Sequence, residues 1–444
     1  MTKGFFKSSQ VRSKKISKTN NSIAHCGSCK LYKQCKSPKM QPTGRGEIKI
    51  LHVAEAPGKN EDLKNEQLIG QAGQFYSKIL RKLGIELNAC LKTNAINCRP
   101  SKNRKPKTKE IDACHPNLLK TIKEFQPHVI IALGDCAVES LIKPRFQEKV
   151  GGITKWRGTV IPDREYNAWI CPTFHPSYVM RDSSPEVVER LFKDDLKHAI
   201  KMLDVPLPSF DENEESKIEI IKHPDEATQW IRNLFNNNIT LTAFDYETTG
   251  LKPQRTEQKI KTCSISYGPD HAAAFPMFMD DFEFVDVLTH YLSTPRIKKI
   301  CANMKYERDW THVKVGVPLN GLFYDTTIGA HFVDNRKGIT SLDYQNYAYF
   351  GIPPYDRHLK KLLKNSKGGN DLNDADEIDL KELLIYNGMD SMTEFRLGLV
   401  QMDIIGIDYS HLYEGKSGLD FCPQVKAIRK EQRPVKTKRK KKKK

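Results

Sequence analysis

No run of about 18 apolar residues occurs in the chain, so a membrane-spanning helix is not expected. The first residues are basic but no apolar core follows them, and they do not read as a secretory signal. Without an export signal, the 11 cysteines read as thiols kept reduced inside a cell, in the cytoplasm, rather than as a disulfide framework. Internal repeats are lacking, and the one low-complexity segment is the lysine-rich end. Acidic residues are too few to balance the basic ones: 54 Asp and Glu stand against 72 Lys and Arg, a formal net charge of +18. Eight of those charges lie in the last nine residues, Lys436 to Lys444, which leaves +10 for the rest. A basic surface of this kind favours a polyanion, nucleic acid before an anionic membrane. The terminal lysine run reads equally as a solvated tail and as a non-specific phosphate-binding tail.

The 444 residues are enough for two cores. Residues 1–24, rich in Lys, Ser and Asn, read as a flexible basic arm. Strands are expected over 47–54, 91–96, 128–133 and 168–173, alternating with helices over 72–83, 109–125, 135–142 and 186–203. That alternation predicts an α/β/α domain with a parallel sheet over 25–203. Residues 204–216, with Pro206, Pro208 and a group of acids, read as a linker. A second α/β pattern fills 217–405: strands over 218–221, 240–246, 261–267, 272–277 and 298–302, helices over 306–313, 325–333 and 342–350, and a long helix over 378–402. Residues 406–444 are left as a basic tail.

Four cysteines stand out by spacing: Cys26 and Cys29 as a Cys-x-x-Cys pair, then Cys98 and Cys114. Two thiolates from the pair and two from elsewhere complete a four-thiolate site for zinc or for an iron–sulfur cluster, and spacing does not choose between them. Taken singly, Cys98 and Cys114 would be ordinary buried thiols. Val53-Ala54-Glu55-Ala56-Pro57-Gly58-Lys59-Asn60-Glu61-Asp62 with Gly70-Gln71-Ala72-Gly73 forms a first landmark. Thr93-Asn94-Ala95-Ile96-Asn97-Cys98-Arg99-Pro100 with Asn103-Arg104 and Cys114 forms a second, and His175-Pro176-Ser177 with Arg181 a third. Together they resemble the family 4 (iron–sulfur) uracil-DNA glycosylases over about residues 24–203. The resemblance implies a [4Fe-4S] cluster on Cys26, Cys29, Cys98 and Cys114, with Cys35 outside the set. It also implies a pocket for a base extruded from DNA. There Asn94 would read the uracil edge, His175 would stabilise the leaving pyrimidine oxygen, and Glu55 with Ala56-Pro57-Gly58 would orient water and phosphate. Ser177 and Arg181 belong to the same substrate surface. Two positions depart from the family: Ala54 replaces a glycine, and Leu68 stands where an aromatic stacks on the base. Such stacking is worth about 1–3 kcal/mol per base, so both uracil excision and a retained domain that only binds DNA or a partner stay open.

The second half is organised around Phe244-Asp245-Tyr246-Glu247-Thr248-Thr249-Gly250-Leu251, which follows the apolar strand run 239–243. Asp245 and Glu247 share a strand face. Two carboxylates held there repel each other unless a cation sits between them. Alone, the pair would be a solvated turn. Downstream, Asn303-Met304-Lys305-Tyr306-Glu307 brings another acid at a strand end, and Tyr386 and Asp390 lie four apart on one helix face. Two-metal phosphodiester hydrolysis needs carboxylates from several elements holding cations about 4 Å apart. The three segments, with Asp325-Thr326 and Ser341-Leu342 as helix openings, resemble the 3′–5′ proofreading exonuclease domain of family A DNA polymerases over about 218–405. The resemblance implies a ribonuclease H-like mixed sheet, two Mg²⁺ or Mn²⁺ ions on Asp245, Glu247, Glu307 and Asp390, Tyr386 orienting the water, and Asn303 on the substrate. Glu307 replaces the usual aspartate; Asp309 is nearby but should face elsewhere. The two halves in tandem resemble the front part of a family A DNA polymerase of some large bacterial viruses. Residues 403–444 are too few to hold the polymerase portion. The function expected is a 3′–5′ exonuclease on single-stranded 3′ ends, a proofreading subunit or split piece beside a separate polymerase subunit in an infected bacterial cell. Uracil excision from DNA as the main activity is one alternative. A non-catalytic DNA- or polymerase-binding module is the other.

Overall fold

The structure is a computed structural model that describes residues 25–146, 150–182, 184–211, 213–364 and 371–432. The expected basic arm 1–24 and the lysine run lie outside these residues. Contacts group the described residues into an N-terminal unit (25–208, 348–351 and 422–432) and a C-terminal unit (209–347 and 352–421). Among the described residues, no helix is long and apolar enough to cross a membrane.

The N-terminal unit is built on β1 (Ile50–Ala54), β2 (Leu91–Asn94), β3 (Val129–Leu133), β4 (Ile161–Asp163) and β5 (Ala168–Thr173), in the order β2-β1-β3-β5-β4. The first four in that order are parallel; β4 was not anticipated and pairs antiparallel with β5, so the sheet is not wholly parallel. Every residue of β1, β3 and β5 is buried, as expected of strands covered on both faces. The covering helices are α1 (Gln71–Lys82), α2 (Thr108–Phe125), α3 (Asp135–Phe146) and α4 (Pro185–Lys201). Tyr76 of α1, Phe192 of α4 and Trp169 of β5 fill the core on one side of the sheet. Because the central strands run the same way, the segments after Ala54, Asn94, Leu133 and Thr173 emerge along one edge, where open α/β sheets bind ligands.

The C-terminal unit holds β6 (Ile218–Ile220), β7 (Leu241–Thr248), β8 (Ile260–Gly268), β9 (His271–Pro276), β10 (Lys298–Cys301) and β11 (Leu322–Asp325), in the order β11-β10-β7-β8-β9-β6. β7, β8 and β9 form an antiparallel meander, while β10 pairs parallel with β7 and with β11, and β6 pairs parallel with β9. Its main helices are α5 (Pro224–Asn236), α6 (Phe282–Ser293), α7 (Met304–Trp310), α8 (Thr326–Val333) and α9 (Leu380–Ile405), and the expected helix over Leu342–Phe350 is present as well. Neither α5 nor α6 was anticipated. The signals were present: Pro224 opens α5 and its buried residues Ala227, Trp230, Ile231 and Leu234 recur at helical spacing. The N-cap of α6 is Asp281, whose carboxylate accepts from Phe284 N at 2.8 Å.

α9 is the pillar of this unit. Asp379 caps it by accepting from the backbone N–H groups of Lys381 and Glu382 at 3.0 and 3.2 Å, and Gly406 ends it at φ 90°. From Leu383 to Met402 every residue but Tyr386 is buried, so α9 is covered all round and lacks a solvent face. The basic tail expected over 406–444 is corrected for its first part. Leu412, Tyr413 and Phe421 pack against the core of the C-terminal unit, and Ala427 and Ile428 of the helix Pro423–Gln432 pack against that of the N-terminal unit. These apolar residues, interspersed among the charges, give the segment something to bury.

Gly388 lies where α9 crosses β6, and a Cβ there would come within 2.3 Å of Ile218 Cγ2. Gly388→Ala should therefore destabilise the protein by about 1–3 kcal/mol through overpacking, read as a lowered denaturation midpoint with an unchanged m-value.

Candidate active sites

β7 brings Asp245 and Glu247 onto the face on which Leu241 and Ala243 meet Phe395, Leu399 and Met402 of α9. Asp390 arrives from α9 itself. One carboxylate oxygen from each of Asp245, Glu247 and Asp390 lies within 4.8 Å of the other two, a spacing that suits a divalent cation. The placement is enforced by neighbours. Asn387 Nδ2 donates to Asp245 Oδ2 at 2.7 Å. The hydroxyls of Thr262 and Ser264 on β8 donate to Asn387 Oδ1 at 3.0 Å and to its carbonyl at 2.7 Å. The Tyr355 hydroxyl donates to Asp390 Oδ1, and its ring lies 6.1 Å from that of Tyr386. Tyr386 stands one helical turn before Asp390 on the same helix.

Glu307 is buried on α7 outside this group of three, and its Oε2 has no hydrogen-bond partner. Its start of helix is held by Asp325, which accepts from Met304 N at 2.9 Å and from Thr327 and Ile328 N at 2.9 and 3.0 Å. Asn303 sits exposed at the entry to α7 with a left-handed backbone, φ 57°. Asp309 pairs with Arg308 at 2.9 Å and takes no part in the acid group. Asn387 and Tyr355 escaped the sequence reading. Asn387 lies inside the Tyr386-x-x-x-Asp390 segment and could have been noticed there, whereas Tyr355 comes from a loop with no spacing signal.

Burial is the first cause that pushes these acids towards their neutral forms. It takes Asp245 up to about 7 against an ordinary 3.8, with the Asn387 hydrogen bond pulling the other way. Burial and then the charge of Asp245 push Glu247, Glu307 and Asp390 well above the carboxylate range. Acids in this state ionise together only around a cation.

In the N-terminal unit the edge beyond the parallel strands opens into a cleft of about 1060 Å³. Glu55, Gly58, Leu68, Asn94, His175, Ser177 and Arg181 all line it. Asn94 is 3% exposed and its Nδ2 has no hydrogen-bond partner. Ser177 donates its backbone N–H to His175 Nδ1 at 3.2 Å, and its hydroxyl lies 2.8 Å from the same nitrogen. That leaves Nε2 to carry the ring proton. Burial and then the charge of Arg181 lower the His175 pKa to about 4, so the ring is neutral at physiological pH. Gly134 permits the close approach of β3, since a Cβ there would lie 2.9 Å from His175 Cβ. Burial raises Glu55 above its ordinary range. Leu68 holds a left-handed backbone at φ 57°, in a loop pinned by Glu61, which accepts from Ile69 and Gly70 N at 3.1 and 2.7 Å. Two rings the sequence reading overlooked also line the cleft: Phe174 and Tyr178, with centroids 5.0 Å apart. Position 68 is not the cleft's one route to an aromatic surface.

Cys26, Cys29, Cys98 and Cys114 line one small pocket with Leu31, Tyr32 and Ile96. Lys39 N donates to Cys98 Sγ at 3.2 Å, and Asn97 N and Asn117 Nδ2 donate to Cys114 Sγ at 3.3 and 3.4 Å. Three N–H donors aimed at sulfur suit thiolates that ligate a metal centre. Without one, burial keeps Cys98 protonated, pushing it up to about 12. All eleven cysteines are free thiols. Among the described residues no three of their sulfurs gather within the 4.8 Å that the acids achieve.

The acid group has a consequence for stability. An acid whose folded pKa is raised holds a proton that the unfolded chain releases, so folding loses stability as pH rises from the ordinary value through the folded one. For Asp245 that window runs from 3.8 to about 7. In EDTA the midpoint of thermal unfolding should fall as pH is raised from 5 to 8, and Asp245→Asn should flatten the fall. Stabilisation by added Mn²⁺ should grow over the same range.

The family model described as Uracil DNA glycosylase superfamily matches residues 41–200, and the one described as 3'-5' exonuclease matches residues 218–398. The chain is 31% identical over 192 residues to a type-4 uracil-DNA glycosylase of Saccharolobus solfataricus, covering 42% of this chain and 88% of that relative. It is 34% identical over 172 residues to a type-4 uracil-DNA glycosylase of Pyrobaculum aerophilum, covering 37% of this chain and 85% of the relative. Among solved structures it is similar to Brucella melitensis NrnC, at a TM-score of 0.31 and 17% identity over 49% of this chain and 92% of the other. The chain therefore belongs to the type-4 uracil-DNA glycosylase family through its first half, and its second half is a 3′–5′ exonuclease domain.

Proposed function

We propose that this chain processes DNA with its exonuclease domain, removing nucleotides from single-stranded 3′ ends with two divalent cations, Mg²⁺ or Mn²⁺. The observation that carries the reading is the convergence of Asp245, Glu247 and Asp390 oxygens within 4.8 Å. When bound, such cations lower the pKa of the attacking water and offset charge on the departing 3′ oxygen. Asp245, Glu247, Glu307 and Asp390 hold them. Asn387 fixes the orientation of Asp245, and Tyr386, one helical turn from Asp390, orients the water. Asn303, exposed at the mouth of α7, meets the DNA strand.

The glycosylase-like cleft supports a second activity, excision of uracil from DNA. Its warrant is the unpartnered Asn94 amide, buried in the cleft and free to meet the uracil edge, beside neutral His175, whose Nε2–H is positioned to donate to the pyrimidine oxygen. Glu55 and Gly58 orient water and phosphate, Ser177 and Arg181 support the strand, and Leu68 borders the base. A [4Fe-4S] cluster on the four cysteines is the cofactor this half calls for. The working boundaries are an arm over 1–24, the glycosylase-like domain over 25–203, a linker over 204–216 and the exonuclease domain over 217–405. Proofreading beside a separate polymerase subunit, of the kind bacterial viruses encode, is the setting we assign.

With 5′-labelled single-stranded DNA and Mg²⁺ or Mn²⁺, the protein should give a ladder of products shortened from the 3′ end. Asp245→Ala should slow it by about 10²–10³-fold, or about 3–4 kcal/mol of barrier; no shortening with either metal would overturn the reading. A uracil-containing oligonucleotide treated with the protein and then with alkali should break at the uracil, and Asn94→Ala should abolish the break. Intact strands with the wild-type protein would leave the first half a binding domain.

A further inference from the structure

α9 carries one acid the nuclease site has not used. Glu394 follows Asp390 by one helical turn and Tyr386 by two, so the three share a face. The same face continues to Gly398, where a Cβ would lie 3.0 Å from Ile300 of β10. Glu394 is thereby directed at the sheet beside the end of β10, the strand that leads into α7 and Glu307. Like Glu307, it is 2% exposed, and like Glu307 it leaves Oε2 without a hydrogen-bond partner. No basic side chain among the described residues pairs with either acid.

Leaving two carboxylate oxygens buried and unpaired costs each its desolvation, about 1–3 kcal/mol and more when charged. Asp325 does not relieve them, because its oxygens already accept three backbone N–H groups. Asp390 already accepts from Tyr355. Burial, then the charges of Asp245, Glu307, Asp390 and Asp325, push Glu394 well above the carboxylate range. Asp245, Glu247 and Asp390 gather closely enough for one ion, and Glu307 stands outside that group. A second ion needs its own oxygens.

We infer that Glu394 is a fifth acidic ligand of the exonuclease site, holding the second divalent cation together with Glu307 and Asp245. The inference rests on the two-cation reading above. It gives the longer acid at 307 a partner: two glutamates, from α7 and α9, supply the oxygens that Asp245 alone cannot.

The test counts ions rather than turnover. Mn²⁺ bound to the full chain is measured by equilibrium dialysis, with Asp245→Ala as the blank. Wild type should bind two ions above the blank, and Glu394→Gln, of the same shape, should bind one, with the second weakened at least about tenfold. In EDTA, Glu394→Gln should melt no lower than wild type, because it removes a repelling buried acid, and its rise in melting temperature on adding Mn²⁺ should be smaller. Glu394→Asp, which keeps the charge but shortens the reach, should weaken the second ion while melting like wild type in EDTA. Two ions with unchanged affinity in Glu394→Gln would overturn the inference and leave the nuclease reading standing. No ion above the blank in wild type would overturn both.

Discussion

Carboxylates crowded at the end of β7 repel one another, and much of the C-terminal unit is arranged to hold them there. Three of them are held, directly or through their helix, by groups on other elements. Asn387 steadies Asp245 and is itself gripped by Thr262 and Ser264 of the neighbouring strand. Tyr355 reaches Asp390 from a loop, and Asp325 locks the start of the helix that carries Glu307. Without these restraints the acids would relax apart, since like charges in a poorly solvated pocket gain by separating. The sheet order serves the same end: β10 and β11 lie parallel beside β7, so Asp245, the Asn303 turn and Asp325 occur at adjacent strand ends.

The N-terminal unit solves a different electrostatic problem with the same kind of edge. Two of the groups lining its cleft are neutral near pH 7: His175 is kept unprotonated by burial and by Arg181, and the Asn94 amide carries no charge. A neutral ring that donates through Nε2 can stabilise a developing anion without first presenting a cation to the phosphate backbone. The two sites thus differ electrostatically: one gathers buried acids that repel one another, and the other holds a neutral imidazole and an amide.

Most of the architecture was legible because strand ends and helix starts carry the chemistry. Asp245-x-Glu247 and Tyr386-x-x-x-Asp390 announce themselves through periods of two and about four, and the parallel alternation of the first half follows from the apolar runs at β1, β3 and β5. What remained hidden lacks a period. Tyr355 lies on a loop, and Phe174 is one residue before a histidine that drew attention to itself. Glu394 was hidden for another reason: α9 is buried all round, so an acid on it looks like part of an ordinary charged face until its lack of exposure is known. The helices α5 and α6 carry their sequence signals at their starts, Pro224 in the first turn of α5 and Asp281 as the cap of α6.

Length at position 307 ties the fold to the chemistry. A glutamate extends one methylene beyond an aspartate on the same helix, and α7 cannot slide back to compensate. Its first N–H is bound to Asp325, and below it Trp310 is fully buried in the core. The carboxylate therefore sits one carbon–carbon bond, about 1.5 Å, further along its side chain than that of an aspartate would. An ion held by that oxygen would sit differently from one held by an aspartate and would call for a further oxygen ligand. α9 offers one at Glu394, one turn from Asp390 on the face that meets β10. The added acid and the lengthened one make sense together and not separately. Either alone would be a buried carboxylate without a partner, and a fold holds two such groups at one place when something outside the chain joins them.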